Sequence, residues 1–184
     1  ARHLKLSRNI KKAIRTSNKC HIQKIDAASF APGKFFFSNV GIGFPANVAL
    51  TFEGHPVRGF LSYALAVIRE LFYYHFVDIE LEIENQKLER RVVLFNVYNS
   101  NQHGYEVGLA PQASLDDGKL DVTVLNRPSR PRLVLYAIFI LTRQLQWVKH
   151  LESFKTTTCR VINKNQDPWL LQVDGECRFF NENW

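Results

Sequence analysis

The run Pro111-Gln112-Ala113-Ser114-Leu115-Asp116-Asp117-Gly118-Lys119-Leu120-Asp121 crowds three carboxylates around one glycine. It lies between the polar stretch Asn99-Ser100-Asn101-Gln102-His103-Gly104 and a strand-like segment, Leu120 to Leu125. Magnesium and calcium take oxygen ligands, and a tight turn offers a carboxylate together with backbone carbonyls. The same residues also make an ordinary surface turn, with aspartates bonded to their own backbone and glycine at positive φ. A second acidic turn, Val173-Asp174-Gly175-Glu176-Cys177, has Asp-Gly between apolar runs, which is a tight-hairpin signal. Its chemical reading needs two carboxylates held at a strand end, one of them accepting the proton of a substrate hydroxyl. Spacing alone leaves both turns open between structure and chemistry.

Other chemistries find less support. The six histidines are scattered without metal-protease or zinc-site spacing. The three cysteines, Cys20, Cys159 and Cys177, form no Cys-x-x-Cys pair, which favours a reduced, cytoplasmic setting over a disulfide framework. No Gly-x-Ser-x-Gly elbow is present.

The net charge of +7 is a local property. Residues 1–24 hold eight bases and no acid, whereas the other 16 bases face all 17 acids. The body of the chain is therefore almost neutral, which argues against a nucleic-acid partner. The basic segment could face phosphates, a membrane or an acidic neighbouring domain, or be a solvated helix face.

The elements that must hold the two turns are mostly strands. Val77 to Glu84 alternates with period two, burying one face and leaving Asp78, Glu80, Glu82 and Glu84 as a solvated row. Lys87 to Tyr98 is its expected hairpin partner, with Arg90 and Arg91 opposite those acids. Further strands are expected at Phe35–Val40, running into a Gly41-Ile42-Gly43 turn, and at Leu120–Leu125, Thr156–Ile162, Leu170–Val173 and Cys177–Phe180. Helices are expected at Leu4–Ser17, at Arg58–His75 with a broad apolar face directed to the core, and from Arg132 to about His150 after the Pro128–Pro131 break. Strands outnumber helices without regular alternation, so the class is mainly β with helical insertions, α+β. At 184 residues one domain is expected, spanning 1–184. The longest apolar run, Leu133 to Leu141, is too short to span a bilayer. The opening at Ala1 and the lack of any Met read as a fragment of a longer protein.

Four motifs in order resemble the carboxyl-terminal domain of the diacylglycerol kinase and sphingosine kinase-like lipid kinases, soluble bacterial type. Ala1-Arg2-His3-Leu4 is similar to the residues after that family's Gly-x-Gly-Asn nucleotide motif. Asn39-Val40-Gly41-Ile42-Gly43-Phe44 with Ala46 resembles its Gly-x-Gly-x-x-Ala stretch. Pro111-x-Ala113-Ser114-x-x-Asp117-Gly118-x-Leu120-Asp121 resembles its Pro-x-Ala-x-x-x-Asp-Gly-x-Leu-Asp signature, and Val173-Asp174-Gly175-Glu176 its terminal Asp-Gly-Glu.

The resemblance implies a β-sandwich-like second domain of an ATP-dependent kinase that phosphorylates a lipid hydroxyl, diacylglycerol or a related lipid. It implies Glu176 as the catalytic carboxylate with Asp174 beside it, and a supporting Mg2+ held by the Asp117 carboxylate and the carbonyls of Ser114 and Lys119. ATP, the co-substrate, would be bound mainly by an amino-terminal domain outside this chain. The other implied partner is a lipid at a membrane surface, approached by peripheral association. A homodimer is left open.

The chain also departs from that family. It lacks a Gly-Gly-Asp-Gly-Thr motif, carries Asn101-Gln102-His103-Gly104-Tyr105 where a Gly-rich segment is usual, and stops soon after Asp-Gly-Glu. Phosphoryl transfer needs a cradle for the ATP phosphates, so the fragment alone is expected to be inactive. The alternative is a non-catalytic lipid- or protein-binding domain of the same fold, with both acidic turns structural.

Overall fold

The alternation that begins at Val77 becomes a strand burying Ile79, Leu81 and Ile83 and turning Asp78, Glu80 and Glu82 to the other face. It belongs to a computed structural model that describes residues 7, 9–18, 22, 24–56, 59–74, 76–84, 86–101, 109–165, 168–181 and 183–184. Both Ala1-Arg2-His3-Leu4 and Gln102-His103-Gly104-Tyr105 lie outside these. The order is α1 (Ile10–Ser17), β1 (Ala28–Ala31), β2 (Lys34–Phe36), β3 (Asn39–Gly43), α2 (Phe44–Glu53), α3 (Phe60–Tyr73), β4 (Val77–Ile83) and β5 (Gln86–Tyr98). Then come β6 (Leu120–Asn126), α4 (Arg130–Leu141), a 3₁₀ turn at Leu145–Trp147, β7 (Leu151–Thr156), β8 (Cys159–Asn163), β9 (Trp169–Val173) and β10 (Glu176–Phe180). The fold is mainly β with helices, a β-sandwich-like domain.

β1 and β2 pair with each other, and the other eight strands form one antiparallel sheet. The long β5 is its pivot: Gln86–Val92 pairs with β4, and Leu94–Tyr98 lies between β3 and β6. The register shifts between Val92 and Leu94. A one-residue shift swaps the faces of a strand. Val92, Phe95 and Val97 accordingly join one core, while Val93, Leu94 and Tyr98 join a second. The first core lies among the strands, with Phe36, Trp169 and Leu171. The second includes Leu133 and Tyr136 of α4 together with Leu109 and Val148.

The Gly41-Ile42-Gly43 stretch is strand β3, not the expected turn. A Cβ at Gly41 would sit 1.3 Å from Asn96 Oδ1, so glycine makes room for a fully buried neighbouring side chain. Gly43, at φ 83°, turns the chain directly into α2, a helix that sequence periodicity did not expose.

Two other boundaries also differ. The expected Thr156–Ile162 strand is two strands meeting near Thr158, where the Thr156 hydroxyl donates to the Thr158 carbonyl at 2.8 Å. The helix expected to reach His150 ends at Leu141. Arg143 takes φ 60°, Gln144 N–H reaches Phe139 O at 2.7 Å, and Arg143 N–H reaches Ile140 O at 3.1 Å, closing the helix as a Schellman motif without glycine. The apolar face of α3 is only partly core: Ala66 is buried, but Leu61, Leu65, Ile68 and Phe72 face solvent. Of the acidic row on β4, Asp78 pairs with Arg91 at 3.6 Å as expected, whereas Arg90 turns to Glu152 on β7.

Candidate functional site

Val173 pairs with Glu176, so Asp174 and Gly175 form a two-residue turn with φ of 50° and 98°. Asp174 Oδ1 accepts the backbone N–H of Ser38 at 2.7 Å and of Asn39 at 3.1 Å, and Oδ2 accepts that of Phe37 at 2.9 Å. Its own N–H donates to Asn39 O at 2.9 Å. The carboxylate thus anchors the β9–β10 hairpin to the segment between β2 and β3. Glu176 opens β10, stands exposed, and pairs with Arg178 Nη2 at 2.9 Å. The next residue locks the hairpin to α2: Cys177 N–H donates to Glu53 Oε1 at 3.2 Å and its Sγ to Ala46 O at 3.3 Å. Burial, with the Glu53 charge adding, pushes the Cys177 thiol up to about 12, which rules it out as a ready nucleophile.

The other acidic turn is built differently. Gly118 takes φ 64°. Asp117 Oδ1 accepts Lys119 N–H at 3.0 Å, and Oδ2 lies 2.7 Å from Lys155 Nζ on β7. Lys155 also faces Asp121 Oδ2 at 3.9 Å. The hydrogen bond from Lys155, with that of the Lys119 backbone, holds the Asp117 carboxyl below the usual range; desolvation moves the Asp121 carboxyl upward. Ser114 Oγ donates to Asp116 Oδ1 at 2.6 Å.

The side chains of Asp117 and Ser114 bond to protein groups in this structure. An ammonium already occupies one oxygen of Asp117, the other serves a backbone amide, and the Ser114 hydroxyl is turned to Asp116. Among the described residues no group of three or more His, Cys, Asp and Glu converges as a metal site, which leaves open a set of one carboxylate and two carbonyls.

A hydrogen-bonded bridge joins the two turns. Ser38 O accepts the N–H groups of Asn99 at 2.9 Å and Ser100 at 3.1 Å. Asn99 Nδ2 donates to Phe37 O at 3.0 Å and Asp26 O at 2.8 Å. Asp26 Oδ2 then accepts Gly118 N–H at 2.7 Å. The sheet register agrees, for Asn39, Tyr98, Asp121 and Lys155 lie in one row across β3, β5, β6 and β7. β9 and β6 are three strand spacings apart, about 14 Å. The two turns therefore share one end of the sheet without touching.

Asp26, Ser38, Asn99, Lys155 and Arg178 were not singled out by sequence reasoning. The register of the Val77–Tyr98 hairpin was legible, but no local signal ties Asp26 to Gly118.

Residues 38–179 match the family model described as the YegS C-terminal NAD kinase beta sandwich-like domain, and the chain belongs to that family. No curated protein matches the chain. Among solved structures, a protein designated a diacylglycerol kinase from Bacillus anthracis str. Sterne is 18% identical with a TM-score of 0.72, covering 99% of this chain and 59% of its own. A candidate diacylglycerol kinase from the same organism is 22% identical with a TM-score of 0.75, covering 98% of this chain and 59% of its own. The likeness to these structures is one of fold. The chain spans about three fifths of the length of the solved structures it matches. Among the described residues no helix is long and apolar enough to cross a membrane.

Proposed function

We propose that this chain is the carboxyl-terminal part of an ATP-dependent lipid kinase, with Glu176 taking the proton of the lipid hydroxyl. The observation that carries the reading is the division of labour within one hairpin. Asp174 is engaged by three backbone N–H groups, while Glu176 stands exposed on the strand that Asp174 fixes. Asp174 is then a positioning residue and Glu176 the catalytic one.

In the transfer the lipid hydroxyl oxygen bonds to the γ-phosphorus of ATP, the bond to the β–γ bridging oxygen breaks, and ADP leaves. The hydroxyl proton passes to Glu176. Arg178 orients the free carboxylate until substrate arrives. Magnesium carried on the ATP phosphates would offset their charge, and ATP would be held mainly by an amino-terminal domain. A small apolar slot between α2, α3 and α4, lined by Phe44, Val48, Val67, Leu71, Leu133 and Ile140, adjoins the second core. The bonds from Cys177 to α2 tie that slot to the strand of Glu176.

The test is phosphate transfer from radiolabelled ATP to diacylglycerol by the full-length protein. Glu176→Gln is expected to abolish turnover with the circular dichroism unchanged; full turnover in that variant removes the assigned role. The isolated chain is expected to transfer nothing.

The Asp174 anchoring itself favours a second reading, a non-catalytic binding domain of the same fold. The upstream sequence separates the two: a Gly-Gly-Asp-Gly-Thr motif in a preceding domain supports the kinase.

A further inference from the structure

Asn99, only 1% exposed, lines a cavity of about 380 Å3 beside the Asp117 turn. That volume is ordinary for a small-molecule site. Its floor is apolar, formed by Ala28, Phe36 and Val97 of the first core, with the rings of Phe30 and Trp184 next to them. Asn99 Nδ2 is engaged by Phe37 O and Asp26 O, but the buried Asn99 Oδ1 has no hydrogen-bond partner among the described residues. The same is true of the buried Trp184 Nε1. Trp184 is nonetheless fixed in place: its backbone pairs with Val161 in both directions, and its ring meets Phe95 edge-on at 5.6 Å. Buried polar groups are almost always hydrogen-bonded, so an acceptor and a donor left open at one cavity call for a molecule that fills both.

The two open atoms select its chemistry. An amide oxygen only accepts, and an indole N–H only donates. A carboxylate would satisfy the indole alone and an ammonium the amide oxygen alone, and either charge would lose hydration over Phe36 and Val97. An uncharged carboxamide carries an N–H donor beside a C=O acceptor. The apolar floor and the neighbouring rings suit a flat, apolar body attached to it. The cavity is also walled by Asp26 and Gly118, which share the bond that braces the Asp117 turn, and Asn99 ties that bond to Phe37. A molecule held there touches every link of the bridge on the Asp117 side.

We propose that this cavity binds a small uncharged carboxamide with an apolar ring, and that the bound molecule stiffens the brace between the two acidic turns. The ligand N–H donates to Asn99 Oδ1, and the ligand C=O accepts from Trp184 Nε1. Neither Glu176 nor any residue of the slot between the helices lines this cavity. The assignment therefore stands independently of the kinase reading.

The experiment is an NMR titration of the nitrogen-labelled full-length protein at about pH 7 with three probes of one shape: benzamide, benzoate and benzylammonium. The signals followed are the Trp184 indole N–H and the Gly118 amide. Benzamide is expected to shift both saturably, with a Kd of about 1 mM, and to bind at least tenfold more tightly than either charged probe. It should also slow hydrogen exchange at the Gly118 amide about fivefold. Trp184→Phe keeps a ring and removes the donor, so benzamide, followed at Gly118, should bind about fivefold more weakly. No saturation up to about 10 mM, equal affinity for the three probes, or undiminished binding by Trp184→Phe overturns the carboxamide site. Unchanged exchange at Gly118 with benzamide bound overturns the stiffening. Should Trp184→Phe fail to fold, the ranking of the three probes on the wild-type protein decides alone.

Discussion

Gly118 donates its backbone N–H to the Asp26 carboxylate at 2.7 Å across 92 residues of chain. Asp26 is held in turn by Asn99 Nδ2 at its carbonyl and by Leu115 O at its N–H. The Asp117 turn is therefore braced from outside its own loop, and the brace continues through Phe37 and Ser38 to Asp174.

Asp26→Ala should loosen the Asp117 turn and leave the Asp174 anchor in place. Hydrogen exchange reads this directly: the Gly118 amide should lose most of its protection, while the Ser38 and Asn39 amides keep theirs. Equal loss at all three amides would mean that the brace is not a chain of separate links.

Asp174→Ala removes an acceptor from three amides at once. Bonds to a charged acceptor contribute about 1.5–3 kcal/mol each when well shielded, and this carboxylate is exposed, so a total of about 2 kcal/mol is expected. Urea unfolding should show that loss, with Asp174→Asn intermediate because asparagine also tolerates positive φ. Glu176→Gln should leave the urea midpoint unchanged. A midpoint that falls as far for Glu176→Gln as for Asp174→Ala would contradict the separation of positioning from catalysis.

Gly41→Ala is expected to be more damaging than its single methyl suggests. The new Cβ would overlap Asn96 Oδ1 and approach Phe95 O within 2.8 Å. Asn96 is fully buried and Phe95 O belongs to the adjoining strand, so neither moves cheaply. A loss of about 3 kcal/mol or more is expected in chemical denaturation. Adding Asn96→Ala should recover only part of it, since the carbonyl contact stays.

How much of this was legible beforehand depended on whether the signal was local. The Val77–Ile83 alternation gave its strand, and Asp174-Gly175 gave its hairpin, because each pattern is decided within a few residues. The end of α4 was hidden since Arg143, not glycine, adopts the left-handed conformation there. α2 was hidden because Phe44–Glu53 is apolar on most sides and begins at a Gly that read as a turn. The exposed stripe on α3 read as core, for periodicity reports that a face is apolar but not what covers it. The two acidic turns were found as separate sequences; their placement at one end of the sheet came from the pairing of β3, β5 and β6.

The Asp117–Lys155 pair gives stability a defined pH window. The folded-state carboxyl of Asp117 lies below its ordinary value, so the unfolded chain takes up that proton first as acid is added. Its contribution is complete above the ordinary carboxylate range, near 4, and is lost as pH falls through the depressed value. Lys155 is raised, chiefly by its hydrogen bond to Asp117, so its contribution is complete below about 10 and lost as pH rises through the elevated value. Lys155→Met leaves Asp117 and Asp121 facing each other without a cation. The fall in Tm relative to wild type should be largest between about pH 5 and 9 and should shrink toward pH 3, as the carboxyls take up protons. An equal fall at pH 3 and pH 7 would point to lost packing instead.

Because Lys155 supplies the positive charge beside Asp117, the turn should need no divalent ion. Chelation by EDTA is expected to leave the Tm of the full-length protein within about 1 °C, since only an ion bound to the folded state shifts the equilibrium. On the kinase reading turnover, in contrast, should stop, because phosphoryl transfer from ATP needs a metal on its phosphates. Lys155→Ala opens the oxygen of Asp117 that the ammonium covers and leaves Asp121 beside it. That variant should gain Tm when millimolar MgCl2 is added, by the amount that ligand binding to the native state dictates. A wild-type Tm that drops on chelation and recovers with magnesium would restore the ion to the Asp117 turn and reduce Lys155 to a neighbour.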